Sequence, residues 1–122
     1  MQAPPAPPAP KELVFEKENQ AVLSSDQEEV CFKWWMQLSL EWKTMLRDGN
    51  AKIVIQGFAS PPGTTTYNNK LGLQRAKHVA EMLLPKIGVG INDKSLAKFE
   101  IIGEGEMTND AKRYVRITIV KL

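Results

Sequence analysis

Apolar residues recur at three- and four-residue steps between residues 31 and 46, which is the spacing of one helical face. Ser24, Ser25 and Asp26 precede most of this pattern, followed by two further carboxylates, and caps and acidic groups stabilise the start of a helix. Asp48-Gly49-Asn50 closes the pattern. The sequence therefore predicts one long amphipathic helix, with inner positions Cys31, Trp34, Trp35, Leu38, Trp42, Met45 and Leu46.

Four shorter segments are rich in β-branched and aromatic residues and are predicted to be strands. The first is Leu13-Val14-Phe15, and the strongest runs from Ile53 to Phe58. The third is Phe99–Ile102, and the fourth, Tyr114–Leu122, alternates apolar with polar side chains. That alternation is typical of a strand with one buried face.

A second helix is predicted from about Asn69 to Leu84, and Pro85 is expected to end it because proline lacks a backbone N–H. A loop with two prolines and a glycine, spanning 59–66, separates this helix from the strand before it. The predicted order is β-α-β-α-β-β. We therefore expect an α/β (α+β) two-layer sandwich, with two main helices packed on one face of one mixed sheet.

Composition divides the 122-residue chain into two parts. Residues 1–10 hold five of the eight prolines and no charge, and they are predicted to form an extended Pro/Ala-rich linker. An SH3-type ligand is a less favoured alternative, since Lys11 is the only basic residue close by. Residues 11–122 form the predicted domain, in which the 16 basic and 14 acidic side chains are interleaved. No basic stripe is present, so nucleic acid is not an expected partner.

Several classes of chemistry are not supported by the residue counts. Cys31 is the only cysteine and His78 the only histidine, which disfavours a disulfide, a catalytic triad or a multi-histidine metal site. Gly103 and Gly105 precede no helical pattern, so they do not indicate a dinucleotide loop. No apolar run approaches the roughly 20 residues of a spanning helix, and no signal-peptide pattern begins the chain. The sequence predicts a non-enzyme without metal or cofactor.

Three side-chain types have both an ordinary and a functional interpretation. The tryptophans of the first helix could form a ligand platform, but helical spacing favours core positions. Cys31 is expected to be a small buried hydrophobe, because it falls on the inner side of the helix. His78 is expected on the surface or flank of the second helix.

The remaining candidate site lies where the strongest strand ends and the second helix begins. Phe58, Ala59 and Ser60 leave the strand, Asn68 stands at the expected helix start, and Arg75 lies about two turns further. Backbone N–H groups at a helix start attract anions, and a guanidinium can pair bidentately with a carboxylate. An internal salt bridge is the alternative role for Arg75, and spacing alone leaves both roles open.

These residues resemble the signature of the OmpA-like (OmpA/MotB C-terminal) domain family. That signature has a strand ending in glycine–aromatic–threonine–aspartate, a glycine loop, an asparagine, and a leucine–serine–x–x–arginine–alanine helix start. The matching positions are Gly57, Phe58, Gly63, Tyr67, Asn68, Leu71, Arg75, Ala76 and Val79. Two later segments also resemble the family, namely Gly103-Glu104-Gly105-Glu106 and Arg113-Tyr114-Val115-Arg116-Ile117. The resemblance spans Leu13 to Val120.

The resemblance implies a non-catalytic binding module of the bacterial cell envelope, in the periplasm at the outer membrane. Domains of this family usually hold peptidoglycan noncovalently, with an arginine and an aspartate gripping the diaminopimelate of the stem peptide. Arg75 matches the arginine, whereas Ser60 stands in place of the aspartate. The ligand-binding residues implied by this resemblance are Phe58, Ala59, Ser60, Asn68 and Arg75.

The departures from the family pattern support an alternative. Ser60 offers a neutral hydrogen bond to an ammonium group, and such bonds are weaker than charge-assisted ones. Glu16, Gly72, Gln74 and Tyr114 also differ from the residues common in the family. On this alternative the chain is a structural or docking domain of a larger envelope or phage-tail-like assembly, has lost peptidoglycan binding, and contacts a protein partner.

Overall fold

The structure, a computed structural model, describes residues 6, 8–15, 21–59, 65–87, 99–105 and 114–122. Three helices lie on a four-stranded mixed sheet, which confirms the predicted α+β class. The predicted Pro/Ala linker is described only at 6 and 8–10, so it stays a prediction. The elements in chain order are β1 (Lys11–Val14), α1 (Ser25–Gln37), α2 (Leu40–Asp48), β2 (Ala51–Phe58), α3 (Thr65–Ile87), β3 (Phe99–Gly105) and β4 (Tyr114–Lys121).

The strands are arranged in the order β1-β4-β2-β3. β2 and β3 are parallel, which requires a crossover, and α3 provides it. β4 runs antiparallel to both β2 and β1, with Ile117 opposite Ile55 on one side and Lys11 on the other. Alternate residues of these strands face the helices and form the core, among them Leu13, Ile53, Ile55, Val115, Ile117 and Ile119.

The predicted long first helix is wrong in one respect, because the structure divides it into α1 and α2. Leu38 is extended (φ −65°, ψ 143°), and the Ser39 hydroxyl accepts a hydrogen bond from the Trp42 N–H at 3.3 Å. Serine competes with the helix ladder in this way and favours N-cap positions. Trp35 and Trp42 are both buried in the core despite the break. The interpretation of the tryptophans as core residues is therefore confirmed for these two, whereas Trp34 is partly buried and packs against the core.

The end of α2 agrees with the sequence pattern. Gly49 adopts the left-handed conformation (φ 84°), and the Asn50 N–H donates to the Met45 carbonyl at 2.8 Å. This geometry satisfies carbonyls that the last helical turn leaves without partners. It also turns the chain directly into β2.

The predicted bounds of the second helix, Asn69 to Leu84, are too narrow. α3 extends from Thr65 to Ile87 and continues through Pro85. The carbonyl that loses its donor to the proline belongs to Glu81. Both residues lie on the exposed side of the helix, where the solvent is available to this carbonyl. The earlier start means that Asn68 lies inside the first turns of the helix and not at its cap.

Two strand glycines bring α3 unusually close to the sheet. A Cβ on Gly57 of β2 would overlap the backbone carbonyl oxygen of Gly72 in α3. A Cβ on Gly103 of β3 would lie 2.7 Å from the backbone oxygen of Asn69. The backbone of α3 therefore contacts the sheet directly, and this contact places the start of the helix beside the end of β2.

Candidate functional site

The candidate site lies at the carboxyl end of β2, beside the first turns of α3. Phe58, Ala59, Asn68 and Arg75 are all buried there. Ser60 and the rest of the predicted loop through residue 64 lie outside the described residues. Of the five residues implied by the family resemblance, the structure brings Phe58 and Arg75 into direct contact and places Asn68 on the same helix as Arg75.

The Arg75 side chain is fully buried. Its Nη1 donates to the Phe58 carbonyl oxygen at 2.8 Å, and the guanidinium carbon lies 4.9 Å from the centroid of the Phe15 ring. A buried charge requires hydrogen bonds and favourable electrostatic contacts to offset its desolvation. Arg75 therefore packs against the end of β2 and against Phe15, and it does not project from the helix into solvent.

Asn68 is the second polar residue in this buried region, with 1% of its surface exposed. Its side-chain Nδ2 has no hydrogen-bond partner in the part of the chain that the structure describes. Leaving a buried donor without an acceptor costs about 1–3 kcal/mol. Asn68 also lies in the first turns of α3, where backbone N–H groups lack acceptors within the helix and carry partial positive charge. The region is therefore suited to an acceptor with negative charge.

A group of four residues continues from the site onto the sheet face opposite the helices, and we call it the outer-face cluster. Its members are Glu12, Phe58, Tyr114 and Arg116. The Phe58 and Tyr114 rings stack with centroids 4.6 Å apart and planes at 24°. The Arg116 guanidinium lies 5.7 Å and 5.8 Å from these two centroids and donates to Glu12 Oε2 through Nε (3.1 Å) and Nη2 (2.9 Å).

Sequence reasoning did not identify Phe15, Glu12 or Arg116 as neighbours of the site. Phe15 carries no polar group, and nothing in its spacing relates it to Arg75. Glu12 and Arg116 face each other only because β1 pairs with β4 in this register. A strand register between the two ends of a chain leaves no local signal in the sequence.

The other reactive side chains have structural roles. Burial, with a smaller contribution from the charge of Glu28, raises the pKa of the Cys31 thiol to about 11, so that it is protonated and unreactive at neutral pH. His78 Nε2 accepts a hydrogen bond from the Leu23 N–H at 3.2 Å and thereby ties α3 to the segment before α1. Within the described ranges, no group of three or more His, Cys, Asp or Glu side chains is arranged to hold a metal. The helices described here also lack the combination of length and apolar composition that crossing a membrane requires.

Comparisons of the sequence give one informative relative. No protein-family model matches the chain. Outer membrane protein 41 of Porphyromonas gingivalis is 34% identical over 76 residues, which is 62% of this chain and 19% of that protein. The match therefore spans about a fifth of the relative's length.

Comparisons of the structure identify the fold. The peptidoglycan-associated lipoprotein of Burkholderia pseudomallei superposes with a TM-score of 0.64 at 21% identity, covering 88% of each chain. The C-terminal domain of Helicobacter pylori MotB superposes with a TM-score of 0.62 at 16% identity, covering 89% of this chain and 83% of that one. The OmpA-like domain of Francisella tularensis FopA1 superposes with a TM-score of 0.60 at 18% identity, covering 93% of this chain and 73% of that one. The fold implied by the sequence resemblance is therefore confirmed: the chain has the fold of OmpA-like domains.

Proposed function

We propose that the chain is a non-catalytic module of the bacterial cell envelope that binds peptidoglycan through the diaminopimelate of the stem peptide. The fold shared with a peptidoglycan-associated lipoprotein supports this proposal, as does the partial match to an outer membrane protein. The proposed binding residues are Phe58, Ala59, Ser60, Asn68 and Arg75. The periplasm is the compartment that this function requires.

The observation that carries the proposal is the buried Nδ2 donor of Asn68. A ligand carboxylate would accept from this donor, and the positive end of α3 would add about 0.3–1 kcal/mol. The buried Arg75 would add positive electrostatic potential while keeping its contacts with Phe58 and Phe15. Diaminopimelate supplies the carboxylate that this environment favours, together with an amine on the same carbon.

The amine of the ligand requires an acceptor, and we assign that role to Ser60. The residue follows directly after Ala59, which is fully buried at the end of β2. A hydroxyl accepts from an ammonium group less strongly than a carboxylate does, by a factor of about two in bond strength. The proposed site therefore depends mainly on the carboxylate half of the ligand.

Asn68→Leu is expected to abolish most of the binding and to leave the fold intact. The change removes the donor at similar volume, and a hydrogen bond to a charged group contributes about 1.5–3 kcal/mol, so affinity is expected to fall by about 10- to 150-fold. Because the donor has no partner in the described part of the free protein, removing it relieves a desolvation cost, and the free energy of unfolding is expected to rise by about 1–3 kcal/mol. Co-sedimentation with purified diaminopimelate-type sacculi measures the first effect, and urea unfolding measures the second.

Asn69→Leu is the matched control, because it makes the same substitution on an exposed neighbour in the same helix. We expect this variant to sediment with sacculi as the parent chain does. If the parent chain fails to sediment, the proposed function is wrong. Equal losses in the two variants would instead show that Asn68 is not part of the site.

A second function is favoured by one specific observation, the burial of Arg75. Its contacts with the Phe58 carbonyl and the Phe15 ring serve the fold and need no ligand. A structural or docking domain of a larger envelope or phage-tail-like assembly would retain such an arginine after losing peptidoglycan. This function predicts no sedimentation with sacculi for the parent chain, and it predicts a protein partner.

A further inference from the structure

The carbonyl group that binds Arg75 lies at a point where the sheet ladder is irregular. The antiparallel pairing of β2 with β4 extends to Gly57 opposite Val115, one residue before Phe58. On the other side, the parallel register with β3 shifts between Gly57 and Phe58. Phe58 still pairs with Gly105 of β3, but on one side only, whereas residues 53–57 of β2 pair with a strand on both sides.

The outer-face cluster supplies a constraint on Phe58 that the ladder does not. The Phe58 ring, 2% exposed, stacks on Tyr114, and the Arg116 guanidinium lies over both rings. Glu12 fixes that guanidinium through two hydrogen bonds. Because the ring and the carbonyl carbon of Phe58 are attached to one Cα, holding the ring limits the displacement of that Cα and therefore of the carbonyl group.

The N-terminal segment that carries Glu12 also contacts Arg75, on the side of the sheet that faces the helices. Phe15 follows β1 directly, and its ring lies against the Arg75 guanidinium, while Glu12 within β1 holds Arg116. β1 pairs only with β4, at the edge of the described sheet. β1 and the residue after it therefore link the Phe15 contact with Arg75 to the outer-face cluster.

We propose that Arg116, held by Glu12, is a positioning residue for Arg75 and acts through Phe58. The proposal deepens the proposed function and rests on it only for its consequence in ligand binding. Arg116 itself does not contact the ligand. It keeps the Phe58 carbonyl oriented toward Nη1 of Arg75, so that the positive charge stays at a fixed place behind the binding region.

The test uses Arg116→Gln and Glu12→Gln, each of which removes one charge of the pair. The matched control is Glu100→Gln, which breaks the Lys52–Glu100 ion pair (3.0 Å) on the same sheet face, near the opposite end of β2. The first measurement is the NMR resonance of the Arg75 guanidinium N–H in the free protein, assigned by its loss in Arg75→Lys. That resonance reports the ring current of Phe15 and protection by the Phe58 carbonyl. The second measurement is the affinity for diaminopimelate-type sacculi.

We expect both cluster variants to shift the Arg75 resonance and speed its hydrogen exchange, and to weaken sacculus binding about two- to fivefold. Glu100→Gln is expected to change neither measurement. An unchanged Arg75 resonance in Arg116→Gln and Glu12→Gln would overturn the positioning role, whatever happens to binding. If the parent chain does not bind sacculi, the proposed function fails, and the resonance still decides the positioning role. Glu12, with a side chain 50% exposed, provides a variant that leaves the core untouched.

Discussion

Gly57→Ala is expected to lower the free energy of unfolding by more than about 4 kcal/mol, or to prevent folding. The new Cβ would overlap the carbonyl oxygen of Gly72, which is a backbone atom within α3. A flexible side chain could move aside, whereas this atom moves only if the helix separates from β2. Circular dichroism during urea or thermal unfolding measures the effect.

Gly49→Ala is the control for a glycine with a different role. Its φ of 84° is costly for an L-residue, but a Cβ there meets nothing within 4 Å. We expect a loss of about 1–2 kcal/mol from the backbone conformation alone. If Gly57→Ala were no more destabilising than Gly49→Ala, the close contact between α3 and the sheet would be contradicted.

Arg75→Ala is expected to have the second-largest effect, a loss of about 3–5 kcal/mol in the free energy of unfolding. The substitution leaves a cavity in a fully buried position and removes a donor from the Phe58 carbonyl. It also removes the cation–π contact with Phe15. Equilibrium unfolding in urea provides the measurement.

Lys77→Ala, an exposed position on the same helix, is the matched control and is expected to change stability by less than about 0.5 kcal/mol. An equally small change in Arg75→Ala would show that the buried arginine does not stabilise the fold. Because the arginine supports the fold, a binding loss in Arg75→Ala does not by itself identify a ligand contact. For that reason Asn68, and not Arg75, is the residue chosen to test the binding site.

Much of the fold was predictable, because it follows from local patterns. Alternation along β4 correctly predicted that strand and its buried face, and the apolar spacing correctly predicted a helical region with one buried face where α1 and α2 lie. The break at Ser39 was not predicted, because the apolar spacing continues across it and hides the serine cap. Pro85 was expected to end α3, yet the helix continues through it, because Pro85 and Glu81 are exposed and the carbonyl without a donor is on the solvent side.

The candidate site was predictable only in part. The resemblance to OmpA-like domains selected Phe58, Asn68 and Arg75, all three of which are buried, and Arg75 contacts Phe58 directly. The resemblance did not indicate that Arg75 would be buried, because the packing of Arg75 depends on Phe15, which follows β1 and is distant in sequence. The outer-face cluster depends in the same way on the pairing of β1 with β4, which a hydrophobic pattern does not specify.

The central claim is that the buried donor of Asn68 and the charge of Arg75 select a ligand carboxylate. Calorimetric titration with a soluble diaminopimelate stem peptide tests it directly, with the matched peptide carrying lysine, which lacks that carboxylate, as the comparison. We predict that the diaminopimelate peptide binds and that the lysine peptide binds at least about tenfold more weakly. Equal affinity for the two peptides, or no heat with either, would contradict the claim.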